Sequence, residues 1–369
     1  MRRRAQRLLL FGLILGGWFV VFEAGLRQWG SSEAAPAFQG LFTGDPVIGY
    51  RLQPGARTRF TTSEFDTEIA INRMGVRDDE EIGVKGPDER RILVLGDSLV
   101  LSVQVPFSET FTEHLERRLN DESARPGGVT YRVINGGVQG YGPVEALLLF
   151  RSLVDRVQPD LVLVTVFVGN DAEEALVSEP KLAAARPAID VLRESVVTRL
   201  RRTVRRSMVL QILRLRVVAA TDRFKTSAGR PEPPHQSYAA DPAPRIARGL
   251  GLTRELLGQL AAEAAGAGAR TAYLLMPARF QVDDDDYGRL REIVAAAGGD
   301  LRRDAATERF AATLGELEDP YLDLLPALRA SMPGPALFFE QNIHLTPRGH
   351  IVVSRAIAQF LEEHELLDR

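Results

Sequence analysis

The chain has 369 residues, 45% hydrophobic and 26% charged, with a formal net charge of -3 and no cysteine. That balance suits a globular protein of one large or two modest domains, and it supplies no broad cationic field for nucleic acid. Disulfides, a thiolate nucleophile and cysteine-bound zinc are excluded outright, while the redox compartment stays open.

In chain order, Arg2, Arg3, Arg4 and Arg7 precede an apolar run from Leu8 to Phe22 that continues past Glu23 to Leu26, with Trp29 beyond it. About 19 helical residues rise roughly 28 Å, close to the hydrocarbon thickness of a bilayer. Residues 1–29 are therefore expected to form a single-pass, N-inside membrane anchor. A cleaved signal peptide is the alternative, although Pro36 spoils the small-residue pattern at Ala35 and Ala37. Either way the body of the protein is expected outside the cytoplasm, periplasmic or extracellular.

Residues 30–89 read as a linker, up to Phe42, and a small β-rich lead-in. Its extended runs are Gly49–Leu52, Thr58–Thr62 and Glu68–Asn72, with turn signals at Pro54-Gly55 and Met74-Gly75. From Arg90 onward, strand candidates (Ile92–Leu95, Thr130–Ile134, Leu161–Val168, Thr271–Leu275, Tyr321–Leu324) alternate with helical stretches (Glu109–Leu119, Pro143–Val157, Ile246–Gly266, Tyr287–Ala297, Arg348–Leu367). Near-continuous apolar strands between helices predict a mostly parallel five-stranded sheet covered on both faces, a three-layer α/β/α sandwich over 90–369. A helical insert at about 180–245 interrupts it. The insert is rich in arginine between Ile189 and Lys225, either a surface helix pair or a cationic face for anionic headgroups or an acidic polymer, and a proline-rich loop follows from Thr226 to Pro244.

Strand-end motifs carry the chemistry. The run Arg91–Leu95 stops in Gly96-Asp97-Ser98; after the second strand comes Asn135–Gly142; after the third come Gly169, Asn170 and Asp171. Loops at the carboxyl ends of parallel strands share one edge, where open α/β sheets bind ligands. Among five histidines, His114 is expected exposed on a helix, His235 lies in the proline loop, and His364 sits among glutamates. His350 begins the last helix, where it caps or packs. His344, in a turn before that helix, is the remaining candidate for a base. Asp283–Asp286 is expected to cap the next helix, since Val294 stands where a calcium loop needs glutamate. The glycines at 136–142 follow the second strand, not the first as a dinucleotide loop requires.

Gly96-Asp97-Ser98, Gly140, Gly169-Asn170-Asp171 and His344, in that order over about 250 residues, resemble the SGNH/GDSL hydrolase family. The resemblance implies a flavodoxin-like fold in which Ser98 attacks an ester and His344 serves as base. The Ser98 N–H, the Gly140 N–H and the Asn170 amide would hold the oxyanion, with no metal or organic cofactor. The sequence departs from the family where an aspartate usually orients the histidine: Gln341 and Asn342 are uncharged, and Glu340 is the nearest acid. A Ser-His dyad, a Glu340-assisted triad and a weakened enzyme all stay open. The leading expectation is an extracytoplasmic serine esterase acting on acetyl or short-chain acyl esters borne by carbohydrate or lipid. An O-acyltransferase for a cell-envelope or exported polysaccharide would use the same site, and a non-catalytic binding module is the third reading.

Overall fold

Nine strands are described in the computed structural model, which covers residues 40–122, 128–184, 235–334 and 336–367. The expected anchor at 1–29, residues 30–39 of the linker and the arginine-rich part of the insert lie outside the described residues. Among those described, no helix is long and apolar enough to cross a membrane.

Strands β1 (Phe42–Asp45) and β2 (Gly49–Leu52) form one antiparallel hairpin, and β3 (Arg57–Thr61) and β4 (Asp66–Ala70) form a second. The main sheet follows: β5 (Glu89–Gly96), β6 (Thr130–Gly137), β7 (Leu161–Phe167), β8 (Arg270–Met276) and β9 (Tyr321–Asp323). Its order is β6-β5-β7-β8-β9 and every pairing is parallel. The chain leaves β5 toward β6 on one side and returns to β7 on the other. Loops after β5 and β7 therefore part at a topological switch point, where a crevice opens.

Alternating strand residues face opposite layers. Ile92, Val94, Leu161, Leu163, Ala272 and Leu274 pack in one buried cluster with residues of the helices Phe111–Glu122 and Pro347–Glu363. Leu93, Leu95, Val162, Val164 and Tyr273 are buried on the other face. There the Tyr273 hydroxyl donates to the Leu257 carbonyl of the helix Pro244–Gly266 at 3.2 Å. The predicted helix at Glu109 begins two residues later: Thr110 is extended (φ -70°, ψ 155°), and its Oγ1 accepts from the Glu113 N–H at 3.3 Å. Asp283 caps the helix Asp284–Ala296 as expected, accepting from the Asp286 N–H at 2.9 Å.

The lead-in hairpins brace the edge of the sheet where the motifs lie. The Tyr50 hydroxyl donates to the Gln139 carbonyl at 2.6 Å, and the Glu64 carboxylate accepts from the Gln341 N–H at 2.9 Å. Arg77, fully buried, donates to the carbonyls of Leu101, Ser102 and Val105, and so ties down the left-handed turn at Ser102 (φ 54°). Arg77→Leu strips three buried carbonyls of their donor. It is expected to cost roughly 3 kcal/mol of stability, read as a lowered denaturation midpoint.

Candidate active site

Ser98 is the first residue of a four-residue helix that starts where β5 ends. Asp97 caps it, its carboxylate accepting from the Leu99 N–H at 2.8 Å. Burial lifts the Asp97 pKa to about 6. The side chain thus serves its own turn, and Asp171 does the same by accepting from the Phe167 N–H at 2.9 Å.

His344 stands across from Ser98, 246 residues further along the chain, with its Nε2 2.8 Å from the Ser98 Oγ. Two ties shape its loop: the His344 carbonyl accepts from the Phe339 N–H at 3.0 Å, and the Thr346 N–H donates to the Leu337 carbonyl at 2.9 Å. Thr346 then caps the closing helix Pro347–Glu363, which has proline at its first turn.

Asn342 settles what orients the ring. Its Oδ1 accepts the backbone N–H of His344 at 3.1 Å and also contacts the ring Nδ1. A backbone amide can only donate, so the Asn342 atom facing it must be oxygen. The same oxygen can receive only a proton from Nδ1. The neutral imidazole therefore carries its hydrogen on Nδ1 and turns the Nε2 lone pair toward Ser98. Glu340 does not fill this role, which corrects the expectation of a Glu340-assisted triad. Its side chain is exposed, no hydrogen bond joins it to His344 among the described residues, and its carbonyl accepts from Arg279 at 2.6 Å. Burial pushes the His344 pKa down to about 4, and among the described residues no carboxylate is close enough to oppose it.

Gly140 adopts φ +69° on the loop after β6. A Cβ there would stand 3.1 Å from the Tyr50 hydroxyl, in a conformation that side chains rarely adopt. Among the described residues nothing accepts from the backbone N–H of Ser98 or of Gly140. Gly140→Ala should strain this turn and lower kcat on an ester about tenfold to hundredfold, with the melting temperature measured alongside to exclude unfolding.

Asn170 immediately precedes the helix Asp171–Ser178, and its side chain makes no capping bond to it. Its Nδ2 donates to the Glu174 carboxylate at 2.8 Å, leaving one hydrogen on that nitrogen for another acceptor. While Glu174 is ionised this orientation holds, because a reversed amide would set oxygen against oxygen; in it the Asn170 Oδ1 is buried with no partner among the described residues. Burial, then the neighbouring Asp97 and Glu145, raises the Glu174 pKa to about 7. Nothing in the sequence assigns a part to Glu174, Arg77 or Tyr50, and it offers Asn342 only as an uncharged residue where an aspartate usually stands. Of these, only Asn342 carried a local signal, the two-residue spacing of an Asx turn.

Of the other histidines, His235 lines the cavity beside Asn170, with its ring 6.2 Å from that of Phe280, and the remaining three lie apart from the reacting pair. His350 is buried, accepts from the Phe111 N–H at 3.1 Å and stacks on the Phe111 ring. His114 is half-buried rather than exposed, packed beside Arg117. His364 is exposed at the end of the last helix. Among the described residues no group of three or more histidine and acidic side chains could hold a metal ion.

No protein-family model and no curated protein matches the chain. Solved structures with a similar course include that of TesA, at 14% identity over 74% of this chain and 99% of that one, with a TM-score of 0.41. The lipase/acylhydrolase from Enterococcus faecalis is 14% identical over 74% and 96% of the two chains, at 0.39. A catalytic mutant of Axe2, an acetylxylan esterase from Geobacillus stearothermophilus, is 11% identical over 76% and 96%, at 0.37. What the site can do rests on its own geometry.

Proposed function

We propose that the protein is a serine ester hydrolase of the SGNH type, with its catalytic body outside the cytoplasm and residues 1–29 as a tether. The observation that carries this reading is the 2.8 Å contact between the Ser98 Oγ and a His344 Nε2 whose lone pair is left free by Asn342. A serine hydroxyl becomes a competent nucleophile when a neutral imidazole takes its proton.

Ser98 Oγ attacks the ester carbonyl carbon as its proton passes to His344 Nε2. The carbonyl oxygen becomes an oxyanion, held by the Ser98 and Gly140 N–H groups and the remaining hydrogen of Asn170 Nδ2. Such donors act by being in place before charge develops, and each is worth about 10²–10³ in rate. Collapse expels the alcohol, which takes the proton from the imidazolium, and leaves an acyl-serine. Water then attacks the acyl carbon, its proton passing to His344 and on to Ser98, which frees the carboxylic acid. His344 needs no carboxylate partner to be in the right tautomer, because the Asn342 oxygen sets it. Among the described residues, the imidazolium that forms in the transition state is supported at Nδ1 by that amide dipole and by no carboxylate.

The test uses the full chain with p-nitrophenyl acetate, with and without a polysaccharide acceptor. Release of nitrophenol without acceptor, lost in Ser98→Ala, supports hydrolysis. Release that requires acceptor points to acyl transfer, and no serine-dependent release under either condition overturns the reading.

A further inference from the structure

A cavity of about 460 Å³ opens beside Asn170. Phe167, Tyr238, Ala278, Phe280 and Leu290 give it apolar walls, His235 adds an imidazole, and Gly169 and Asn170, from the site loop after β7, share the lining. Ile343, adjacent to His344 in the chain, and Ile293 also line it. Both stand among the few large hydrophobic side chains left exposed, at 52% and 61%. Isolated exposed hydrophobics are ordinary on a protein surface, but two lining one apolar cavity are not. The charged residues of the lining offer no free charge to a ligand's interior. Asp286 pairs with both Arg279 and Arg289, and Arg279 also donates to the Phe339 carbonyl at 2.8 Å.

From these walls and their place we infer that the protein's substrates are esters of medium-chain acids, on the order of eight to twelve carbons, whose acyl chain lies in this cavity. The inference rests on the proposed serine chemistry. An ester oxygen drawn to the Asn170 end directs the carbon chain of the same carbonyl along Phe167, Tyr238 and Phe280. At roughly 30 Å³ for each liquid-packed small group, the cavity holds on the order of ten or more such groups. An acetyl group would leave nearly all of this apolar surface unoccupied. On this inference the preferred acyl chain is longer than the acetyl or short-chain group expected from the sequence.

Each methylene buried in such a wall favours the bound state by a factor of about four. Across p-nitrophenyl acetate, butyrate, hexanoate, octanoate and decanoate, kept below micelle-forming concentrations, kcat/KM of the full chain is expected to rise at least about 50-fold from acetate to octanoate. Leu290→Trp, which fills the cavity, should cut the octanoate value tenfold or more and change the acetate value much less. Ile293→Asp, on an exposed position where folding is safe, should shift the ratio in the same direction. Calorimetric binding of decanoate to the full chain separates this inference from the serine reading. Turnover that falls steadily from acetate, or a rise that both variants leave intact, overturns the acyl cavity while the esterase stands. No turnover, with decanoate bound and that binding lost in Leu290→Trp, upholds the cavity and overturns the esterase. If decanoate does not bind and no ester turns over, both fail.

Discussion

Ser98→Ala is expected to lower kcat on any ester that the protein hydrolyses by a factor of roughly 10³ or more, with the melting temperature unchanged. The side chain is small, and the hydrogen bond described for its hydroxyl runs to His344 at 2.8 Å, so little packing is lost with it. His344→Ala should fall to a similar level. The double variant should fall no further, because the two residues act in one proton transfer and their losses do not add. Steady-state rates on p-nitrophenyl esters give all three values. Losses that multiplied instead would mean the two side chains act in separate steps.

Asn342 is the position with the next largest effect, and its two substitutions should move activity in opposite directions. Asn342→Leu removes the oxygen that accepts from both the backbone N–H and Nδ1, which frees the ring to adopt the other tautomer. A loss of about 10² or more in kcat is expected, since a misassigned tautomer in a serine protease costs about 10⁴. Asn342→Asp places an anion beside the ring and stabilises the imidazolium. In the wild type, burial holds the His344 pKa near 4, so the base is neutral above that value and kcat/KM should fall only as pH drops through about 4. With aspartate at 342 the pKa rises, and the acid limb must move to higher pH. The plateau rate should rise with it, because the transition state now gains a counter-charge. A pH profile of kcat/KM for both proteins reads the shift, and an acid limb left in place by Asn342→Asp would show that the contact does not govern the base.

Much of this architecture was legible in the chain. The run Ile92–Leu95 marks a strand buried on both faces, and the observed strand only extends it through the polar Glu89, Arg90 and Arg91 and through Gly96. Pro143–Val157 was readable to the residue, because proline at the first helical position and Gly142 before it mark the start. The short helices Asp171–Ser178 and Ala305–Leu314 were missed for a common reason. Asp171, Ala172, Ala175 and Ser178 make up the buried face of the first, and in the second only Phe310 and Leu314 join Ala305, Ala306 and Thr307, so neither presents a long apolar stripe. The first of them packs so tightly that a Cβ on Gly249, in the neighbouring helix, would come within 1.9 Å of the Ala172 carbonyl.

The candidate site divides along the same line. Ser98, Gly140, Asn170 and His344 could be named because each follows a strand end or precedes a helix in a short motif. Glu340 is the nearest carboxylate in the sequence, whereas the turn at Asn342 presents an amide oxygen instead. Tyr50 against Gln139, Glu174 against Asn170 and Arg77 under the Ser102 turn connect segments whose proximity depends on the folded chain. No spacing or composition announces such contacts.

The most direct test of the central claim is covalent labelling of the full chain by a fluorophosphonate, followed by mass spectrometry of its peptides. A single adduct on Ser98, absent from Ser98→Ala and formed far more slowly in His344→Ala, is the predicted result. An unlabelled chain, or equal labelling of the wild type and Ser98→Ala, would contradict it.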